Sequence, residues 1–291
     1  MKVSLVLSGG GARGYTHIGV IKELKKYGFE IISISGTSMG ALIGALEACN
    51  KLEVYENWVK NLDVLDMVKF LNNPLAKNGW LNGDKIFNKI KELVGDYKIE
   101  DLPVKFTAVA TDLNKKKEVW FQKGPLWEAV KASASIPGIF QPVKLNKMLL
   151  VDGGVLNIMP IAPVMSDMSD LIIAVNLYGN DKEIKIRLSK EVRKKQNLME
   201  EIWYKIFKEK QDPVNQSIDL MMDTIFRYRR AEYSADIEIE IPENIAKWYE
   251  FHRAIELIKI GEEFTKDAIN SAKKKGIIKG ENSESVKQLK W

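Results

Sequence analysis

The residues of this sequence best suited to chemistry lie in the stretch ISGTSMGAL at 34–42. Within it, Gly36, Ser38 and Gly40 form a G-x-S-x-G pattern, which presents a serine hydroxyl on a sharp turn between a strand and a helix. A serine hydroxyl is a weak nucleophile and needs a base, usually a histidine. A plainer interpretation is a tight turn whose serine caps the following helix. The pattern predicts a nucleophile at Ser38 and leaves its base to be found.

The chain has two histidines, His17 and His252, and neither falls in a loop of catalytic character. His17 shares one face of a predicted helix with Ile21 and Leu24, so its position favours packing in the core over base chemistry. His252 lies in WYEFHRAIEL, a predicted helix far along the chain. Neither histidine is therefore assigned as the base for Ser38.

A glycine-rich loop, SGGGARG, occupies 8–14 between a predicted strand and a predicted helix. Its candidate site residues are Gly9, Gly10, Gly11, Ala12, Arg13 and Gly14. Glycines let backbone N–H groups approach a ligand closely, and a helix N-terminus adds partial positive charge, so the loop suits an anion. The loop also satisfies G-x-G-x-x-G, the dinucleotide pattern, but no acidic residue ends the second strand as that pattern requires. A dinucleotide-binding protein stays an alternative.

A third motif, Asp152-Gly153-Gly154, closes the apolar stretch KMLLVDGGV at 147–155. An aspartate at the carboxyl end of a strand stands where parallel α/β sheets place their sites. On its own, the same motif is more often an ordinary turn. Asp152 is thus a candidate site residue, and the local pattern does not indicate which residue it acts on.

Apolar runs and helical spacing alternate along the chain and indicate the elements that hold these motifs. Strands are predicted over 2–8, 30–35, 105–113, 147–155, 171–177 and 235–241. Helices are predicted over 15–28, 38–50 and 198–210, within 51–100, and near 215–231 and 246–275. This alternation predicts an α/β fold with a mostly parallel sheet. Gly40 and Gly44, one turn apart, should let their helix lie close to that sheet.

The amino-acid composition argues against several classes of protein. Apolar residues make up 45% of the 291 residues, enough for a large core, and Cys49 is the only cysteine, so an internal disulfide and a cysteine-rich metal site are excluded. The net charge of +5 with no basic block among aromatics argues against nucleic acid. The N-terminus lacks a signal-peptide pattern, and the longest uncharged run, 31–46, is too short and polar to span a bilayer. The sequence predicts a cytoplasmic protein.

Two segments could face a lipid. The stretch 181–195 carries seven basic and three acidic residues, and it is either a solvated linker or a basic edge toward anionic lipid. An amphipathic helix follows at 198–210, with Trp203 on its apolar face. Residues 51–75 and 197–210 are candidate lids over the site, with ordinary core packing as the alternative. Peripheral contact with a membrane surface and a homo-oligomer are both compatible with these patterns.

The order of the three motifs resembles the patatin-like phospholipase family, especially its bacterial members. The similarity extends to NGWLNGDKI, FTAVATDL, AVKASASIPGIFQPV and VDGGVLNIMPIAPV, and it is strong over about 1–180. The resemblance implies a three-layer α/β/α sandwich with extra C-terminal helices. No family motif falls in 181–230, so we expect three regions: a catalytic α/β core at 1–180, a variable helical insertion or lid-like region at 181–230, and a strand and helices at 231–291 that complete the core and end in a frayed tail.

The resemblance also answers the question of the base, because this family uses a serine and an aspartate without a histidine. Carried over by motif, Ser38 is the nucleophile between Gly36 and Gly40, and Asp152 is its base. The 9–14 loop is the oxyanion hole, mainly through amides near Gly10 and Gly11. Arg13 matches the basic position of that loop, with a surface salt bridge as an equal alternative.

The implied activity is hydrolysis of carboxylic esters of lipids, phospholipids or lysophospholipids, through an acyl-enzyme intermediate. Such a reaction needs no metal and no organic cofactor, and the sequence offers no cluster of His, Cys and Asp to bind one. The partner is then a lipid or fatty-acyl ester and not a nucleic acid. A catalytically silent lipid-binding member of the family is the remaining alternative.

Overall fold

The protein, analysed as a computed structural model, is described over residues 1–62, 83–183 and 213–278. The described strands are β1 Lys2–Leu7, β2 Glu30–Thr37, β3 Lys105–Asp112, β4 Lys117–Phe121, β5 Val143–Leu145, β6 Met148–Asp152, β7 Leu171–Gly179 and β8 Ile237–Pro242. The described α-helices are α1 Thr16–Lys26, α2 Met39–Ala48, α3 Leu52–Asn61, α4 Asp84–Val94, α5 Leu126–Ser133, α6 Pro213–Glu232 and α7 Ala254–Lys274.

The strands form one sheet in the order β5-β6-β3-β2-β1-β7-β8, with β4 also paired to β3. The pairs joining β3, β2, β1, β7 and β8 in turn are parallel, and β4, β5 and β6 pair antiparallel. The predicted mostly parallel α/β sheet is confirmed. The sequence did not predict β4 and β5, because they are short strands whose side chains are half exposed and mixed in polarity.

The sheet is the middle layer of three. Strand β1 shows why, since Leu5 and Leu7 lie in a core shared with α1, α2 and α7, whereas Val6 lies in a second core on the other face. That second core includes Ile158 and Phe226, the latter on α6. A strand buried on both faces reads as a continuous apolar run, as β1 does. Helices therefore cover both faces of the sheet.

Two glycines let helix α2 lie close to the sheet. A Cβ on Gly40 would lie 2.1 Å from the carbonyl oxygen of Leu7, and one on Gly44 would lie 2.8 Å from Ile34. Such distances exclude any side chain, so α2 can pack on the sheet only with glycine at both positions. The predicted close packing of this helix is confirmed.

The C-terminal part belongs to the same body as the motifs. Strand β8 pairs in parallel with β7, and α7 crosses α1 so closely that a Cβ on Gly261 would lie 2.0 Å from the Thr16 oxygen. Helix α7 begins at Ala254, later than the predicted 246, and His252 lies in the 3-10 turn Phe251–Arg253. The division of the chain at 180 and 230 stays a prediction.

Several predicted features lie outside the described residues. These are the basic stretch 181–195 beyond residue 183, the amphipathic helix 198–210 with Trp203, most of the candidate lid 51–75, and the tail after 278. Over the described ranges, no helix combines the length and the apolar character that crossing a bilayer requires.

Candidate active site

Two strands approaching from opposite directions bring Ser38 and Asp152 together. Strand β2 runs parallel along β3 and ends with Thr37 opposite Val109. Strand β6 runs antiparallel along the same edge of β3, since β4 occupies the other edge, and it ends with Asp152 opposite Ala110. Because Val109 and Ala110 are consecutive, the two strands meet end to end. Asp152 thus reaches the site on an antiparallel strand, not at the carboxyl end of a parallel one as the sequence suggested.

Ser38 occupies the turn between β2 and α2 with φ 56° and ψ −123°. A non-glycine residue held there costs on the order of 1–3 kcal/mol, and such strain is concentrated at functional sites. The turn is tight because Gly36 and Gly40 touch, and a Cβ on Gly36 would lie 2.5 Å from the Gly40 carbonyl. The predicted elbow therefore forms, with Ser38 almost fully buried at 5% exposure.

Ser133 anchors the elbow from below. Its hydroxyl accepts a hydrogen bond of 2.9 Å from the backbone N–H of Ser38 and donates one of 2.6 Å to the Val109 carbonyl. The elbow is thereby tied to β3 through the last residue of α5. Sequence reasoning missed Ser133, because its spacing of ninety-five residues from Ser38 leaves no local signal.

Replacing Ser133 by alanine should lower the free energy of unfolding by about 1–3 kcal/mol, since it leaves the buried Ser38 N–H without an acceptor. Urea unfolding would measure the loss. Ser135→Ala is the matched control, because the Ser135 hydroxyl only donates to the Lys131 carbonyl one helical turn earlier. Equal losses in the two variants would contradict an anchoring role for Ser133.

Asp152 is buried beside Ser38, and burial raises its pKa to about 6, while the Ser38 hydroxyl and the Gly154 N–H partly offset the rise. The Gly154 N–H donates to Oδ1 at 2.7 Å. The Ser38 hydroxyl is close enough to lower the pKa of the Asp152 carboxyl, but no hydrogen bond of normal length and angle joins the two groups. Oδ2 of Asp152 has no hydrogen-bond partner among the described residues. Oδ2 is therefore available to take a proton. A Cβ on Gly153 would lie 2.2 Å from the Val109 carbonyl, so this glycine is required for the turn.

The glycine-rich loop presents two amides without partners. The Gly9 N–H donates to the Ile158 carbonyl at 2.9 Å, and the Ala12 N–H donates to the Trp248 carbonyl at 2.7 Å. The N–H groups of Gly10 and Gly11 donate to no described residue. A Cβ on Gly9 would lie 3.1 Å from the Ser38 Cβ, so the loop passes directly over the serine.

The close approach of Trp248 to the loop was not visible in the sequence. A Cβ on Gly11, where φ is 57°, would lie 2.3 Å from the Trp248 carbonyl oxygen. A Cβ on Gly14 would lie 2.2 Å from Met39, the residue after the elbow serine. The loop is thus clamped between α2 and the segment before α7. The strand that precedes the elbow ends at Thr37 without an acidic residue, so the dinucleotide alternative gains no support.

Arg13 points away from solvent and is only 6% exposed. Its Nη1 donates to the Glu243 carbonyl at 3.1 Å and to the Glu243 carboxylate at 3.2 Å, and its guanidinium lies 5.0 Å from the centre of the Tyr178 ring. Arg13 thus forms a salt bridge, as the alternative interpretation expected, but Arg13 itself is buried and only its partner Glu243 is half exposed. Arg13 links the loop to the segment after β8.

Desolvation keeps both histidine rings uncharged at pH 7. His17 is fully buried, and its Nε2 lies 2.8 Å from the Ser8 carbonyl, so this nitrogen carries the proton. Desolvation lowers the pKa of His17 to about 4, and desolvation also lowers the pKa of His252 to about 4. The predicted core position of His17 is confirmed. Neither ring lines the two cavities next to Ser38.

Two cavities meet at Ser38 and Gly11. The first, about 300 Å³, is mainly apolar and includes Leu42 and Phe140. The second, about 770 Å³, is more polar than the first and includes Asp152 and Arg13. A serine between a mainly apolar cavity and a more polar one is placed to meet a molecule with an apolar and a polar end. Among residues 1–62, 83–183 and 213–278, no group of three or more His, Cys, Asp or Glu side chains could hold a metal ion.

Comparison with known proteins identifies the family. Residues 5–165 match the family model described as patatin-like phospholipase. An uncharacterised NTE family protein of Mycobacterium bovis is 32% identical over 93% of this chain and 92% of its own length. Mouse patatin-like phospholipase domain-containing protein 6 is 33% identical over 62% of this chain, which matches 14% of that protein.

A solved structure, VipD from Legionella pneumophila, aligns with 93% of this chain and 66% of its own. Its sequence identity of 16% and TM-score of 0.45 are too low to carry an argument. The family model and the full-length similarity to the mycobacterial protein rest on more than half of the chain. The chain therefore belongs to the patatin-like phospholipase family.

Proposed function

We propose that this protein is a serine acyl hydrolase that cleaves carboxylic esters of lipids, with Ser38 as nucleophile and Asp152 as base. The observation that carries the proposal is the arrangement around Ser38. A strained serine faces a buried carboxylate, beneath the backbone N–H groups of Gly10 and Gly11. Within the described part of the chain, Oδ2 of this carboxylate and both N–H groups have no hydrogen-bond partner. Membership of the patatin-like phospholipase family supports lipid ester hydrolysis in general.

In the proposed reaction, Oγ of Ser38 attacks the ester carbonyl carbon, and its proton passes to Oδ2 of Asp152. The carbonyl oxygen becomes an oxyanion, which the N–H groups of Gly10 and Gly11 stabilise, and one such donor is typically worth about 3–4 kcal/mol. The intermediate collapses to an acyl-Ser38 ester, and the leaving alcohol takes the proton from Asp152. Water then attacks the acyl enzyme with Asp152 again as base.

The raised pKa of Asp152 makes this proton transfer less uphill. An ordinary carboxylate is a weak base for a serine hydroxyl, and efficiency improves as the pKa of the base approaches the working pH. Burial moves the pKa of Asp152 to about 6, so the group is ionised at neutral pH and still a stronger base than a solvated aspartate. No histidine is required.

We expect the two cavities to hold opposite ends of the substrate. The apolar cavity takes the acyl chain, and the more polar cavity takes the alcohol portion and the water. An apolar cavity of about 150 Å³ holds one benzene, so the 300 Å³ found here corresponds to about twelve carbon atoms. We expect medium-length acyl chains to be preferred.

The proposal is tested with a panel of p-nitrophenyl esters and defined phospholipids and lysophospholipids, with identification of the fatty acid and alcohol released. Turnover of esters by the wild type, and none by Ser38→Ala, supports a hydrolase. Lipid binding without release of any fatty acid would favour the catalytically silent alternative.

Leu42→Phe should shorten the preferred acyl chain. Leu42 lines the apolar cavity one helical turn after Ser38, so a larger ring there occupies the space of the chain. We expect kcat/KM for a dodecanoyl ester to fall at least ~10-fold, because misfitting methylenes in an apolar pocket cost that much or more. An acetyl ester, which does not enter so far, should lose much less.

Leu42→Met conserves side-chain volume and is the matched control, with the chain-length profile expected to stay like the wild type's. Steady-state kinetics over esters of two to sixteen carbons, roughly, covers the lengths that matter for a cavity of this size. Equal losses on acetyl and dodecanoyl esters would exclude the apolar cavity as the acyl site.

A further inference from the structure

Two β-hairpins lie side by side at one end of the sheet and carry five exposed lysines in or next to their turns. The turn between β3 and β4 contacts the hairpin of β5 and β6, since the Leu113 N–H donates to the Leu149 carbonyl at 2.9 Å and the Asn114 side chain donates to the Lys147 carbonyl at 3.1 Å. The exposed lysines in or next to the two turns, here called the lysine surface, are Lys115, Lys116, Lys117, Lys144 and Lys147.

These lysines are not neutralised by the carboxylates closest in sequence. Asp112 is fully buried, and its Oδ1 accepts from the N–H groups of Asn114 and Leu149. Glu118 forms an ion pair with Arg229 on α6. Among the described residues, no carboxylate forms an ion pair with any member of the lysine surface. The hairpins therefore present a concentrated positive charge to solvent.

The lysine surface lies at the end of the sheet where the candidate active site opens. Strand β3 runs parallel to β2, so the turn after Asp112 extends from the same end as Ser38. Lys144 also lines the apolar cavity that contains Ser38. Leu113 stands beside the lysines with 43% of its surface exposed. Positive charge, an exposed apolar side chain and an apolar cavity are thus continuous.

We propose that the lysine surface docks the protein on an anionic lipid bilayer, so that acyl chains enter the apolar cavity from the membrane. Its purpose rests on the proposed lipid hydrolase function, but the docking can be measured without catalysis. A bilayer fits better than a nucleic acid, because an apolar side chain beside lysines suits the interface of lipid and water. Each lysine near an anionic leaflet adds to membrane affinity independently of headgroup shape.

The test is co-sedimentation with vesicles rich in phosphatidylglycerol and with vesicles of phosphatidylcholine alone. All proteins carry Ser38→Ala, so that the vesicles stay intact. Replacing Lys115, Lys116 and Lys117 by glutamine should weaken partitioning onto anionic vesicles on the order of 100-fold. High salt should weaken the starting protein similarly, since exposed charges are screened.

The matched control replaces Lys273, Lys274 and Lys275 by glutamine, at the end of α7. This site lies at the opposite end of the sheet, since Lys273 stacks on Tyr27, which precedes the start of β2. The control triple should bind anionic vesicles almost like the starting protein, losing only the general effect of net charge. Equal weakening by the two triples, or equal binding to both vesicle types, overturns the proposal. Tighter binding to a single-stranded RNA than to anionic vesicles also overturns it.

Turnover of a water-soluble acetyl ester, measured in the Ser38 background, separates the two proposals. The Lys115, Lys116 and Lys117 triple should keep this activity, because these side chains line neither cavity. If no ester is hydrolysed by any protein while the vesicle result stands, the hydrolase proposal fails and the docking surface survives. If the triple loses acetyl ester turnover together with vesicle binding, a local role for the lysine surface is refuted.

Discussion

Asp152→Asn is expected to lower kcat for ester hydrolysis by a factor of about 10²–10⁴, the usual range for removing a general base. The amide cannot take the Ser38 proton, whereas its oxygen can still accept from the Gly154 N–H as Oδ1 does at 2.7 Å. The geometry around the elbow should therefore survive. Steady-state kinetics with a short ester measures the loss.

The matched controls are His17→Gln and His252→Gln, which should each keep most of the activity. Glutamine at 17 can still donate an N–H toward the Ser8 carbonyl, which His17 contacts through Nε2. If His17→Gln abolishes turnover in a protein that stays folded by circular dichroism, and Asp152→Asn does not, the base is a histidine and the proposed pair is wrong.

The pH profile gives a second measurement of the same assignment. The acid limb of kcat/KM should have its midpoint at about pH 6, because the pKa of Asp152 is raised to about 6 by burial. Desolvation lowers the pKa of both histidines to about 4, so they cannot produce a limb near pH 6. The limb should persist in the double histidine variant. A limb that moves with the histidine substitutions would contradict the assignment.

The negative charge on Asp152 should lower the stability of the fold, although the same charge is required for activity. The folded-state pKa of Asp152 is raised from 3.8 to about 6, so its stabilising contribution is present below about pH 4 and is lost as pH rises through about 6. Asparagine carries no charge at any of these pH values. At pH 7 the free energy of unfolding of Asp152→Asn should therefore exceed that of the wild type by up to about 3 kcal/mol, and the variant should unfold at a higher temperature. The difference should shrink at pH 4.

Ser38→Ala should abolish both turnover and covalent labelling by a fluorophosphonate. The reagent needs an activated hydroxyl facing donors for its phosphoryl oxygen, and Ser38 lies under the unpartnered N–H groups of Gly10 and Gly11. Alanine preserves the elbow backbone, so the fold should remain. Activity should fall to the residual level of a nucleophile deletion, about 10⁶-fold in well-studied serine hydrolases.

Ser135 provides the control for labelling, because it lines the same apolar cavity and yet donates its hydroxyl to the Lys131 carbonyl. Ser135→Ala should be labelled like the wild type. Peptide mass spectrometry after labelling locates the adduct. An adduct on any other residue, with Ser38 unmodified, would contradict Ser38 as nucleophile.

Features that depend on the backbone geometry of a few neighbouring residues could be predicted from the sequence. The elbow of Ser38, the glycine-rich loop and the close packing of α2 were predictable, because Gly36, Gly40 and Gly44 stand where a Cβ would overlap backbone or side-chain atoms. The alternation of apolar strands with amphipathic helices likewise fixed the α/β class. These requirements are local, and so they leave a pattern in neighbouring letters.

The sequence also brought Asp152 into the candidate site, but only through the family resemblance. Its own motif is more typical of a turn, and its strand β6 pairs antiparallel with β3, so the expected position at the end of a parallel strand was wrong. The strand register places Asp152 next to Ser38, since β2 and β6 end opposite consecutive residues of β3. Pairing across more than a hundred residues depends on the whole sheet, and it leaves no signal at either end.

The contacts around the candidate site could not be predicted from the sequence and are visible in the tertiary structure. The Ser133 hydroxyl beneath the elbow, the Trp248 carbonyl over Gly11 and the ion pair of Arg13 with Glu243 all join residues distant in sequence. The raised pKa of Asp152 is also a tertiary property, because it comes from desolvation by neighbours that the sequence does not identify. A sequence can specify which groups are present, but burial and partnership depend on which surfaces pack together.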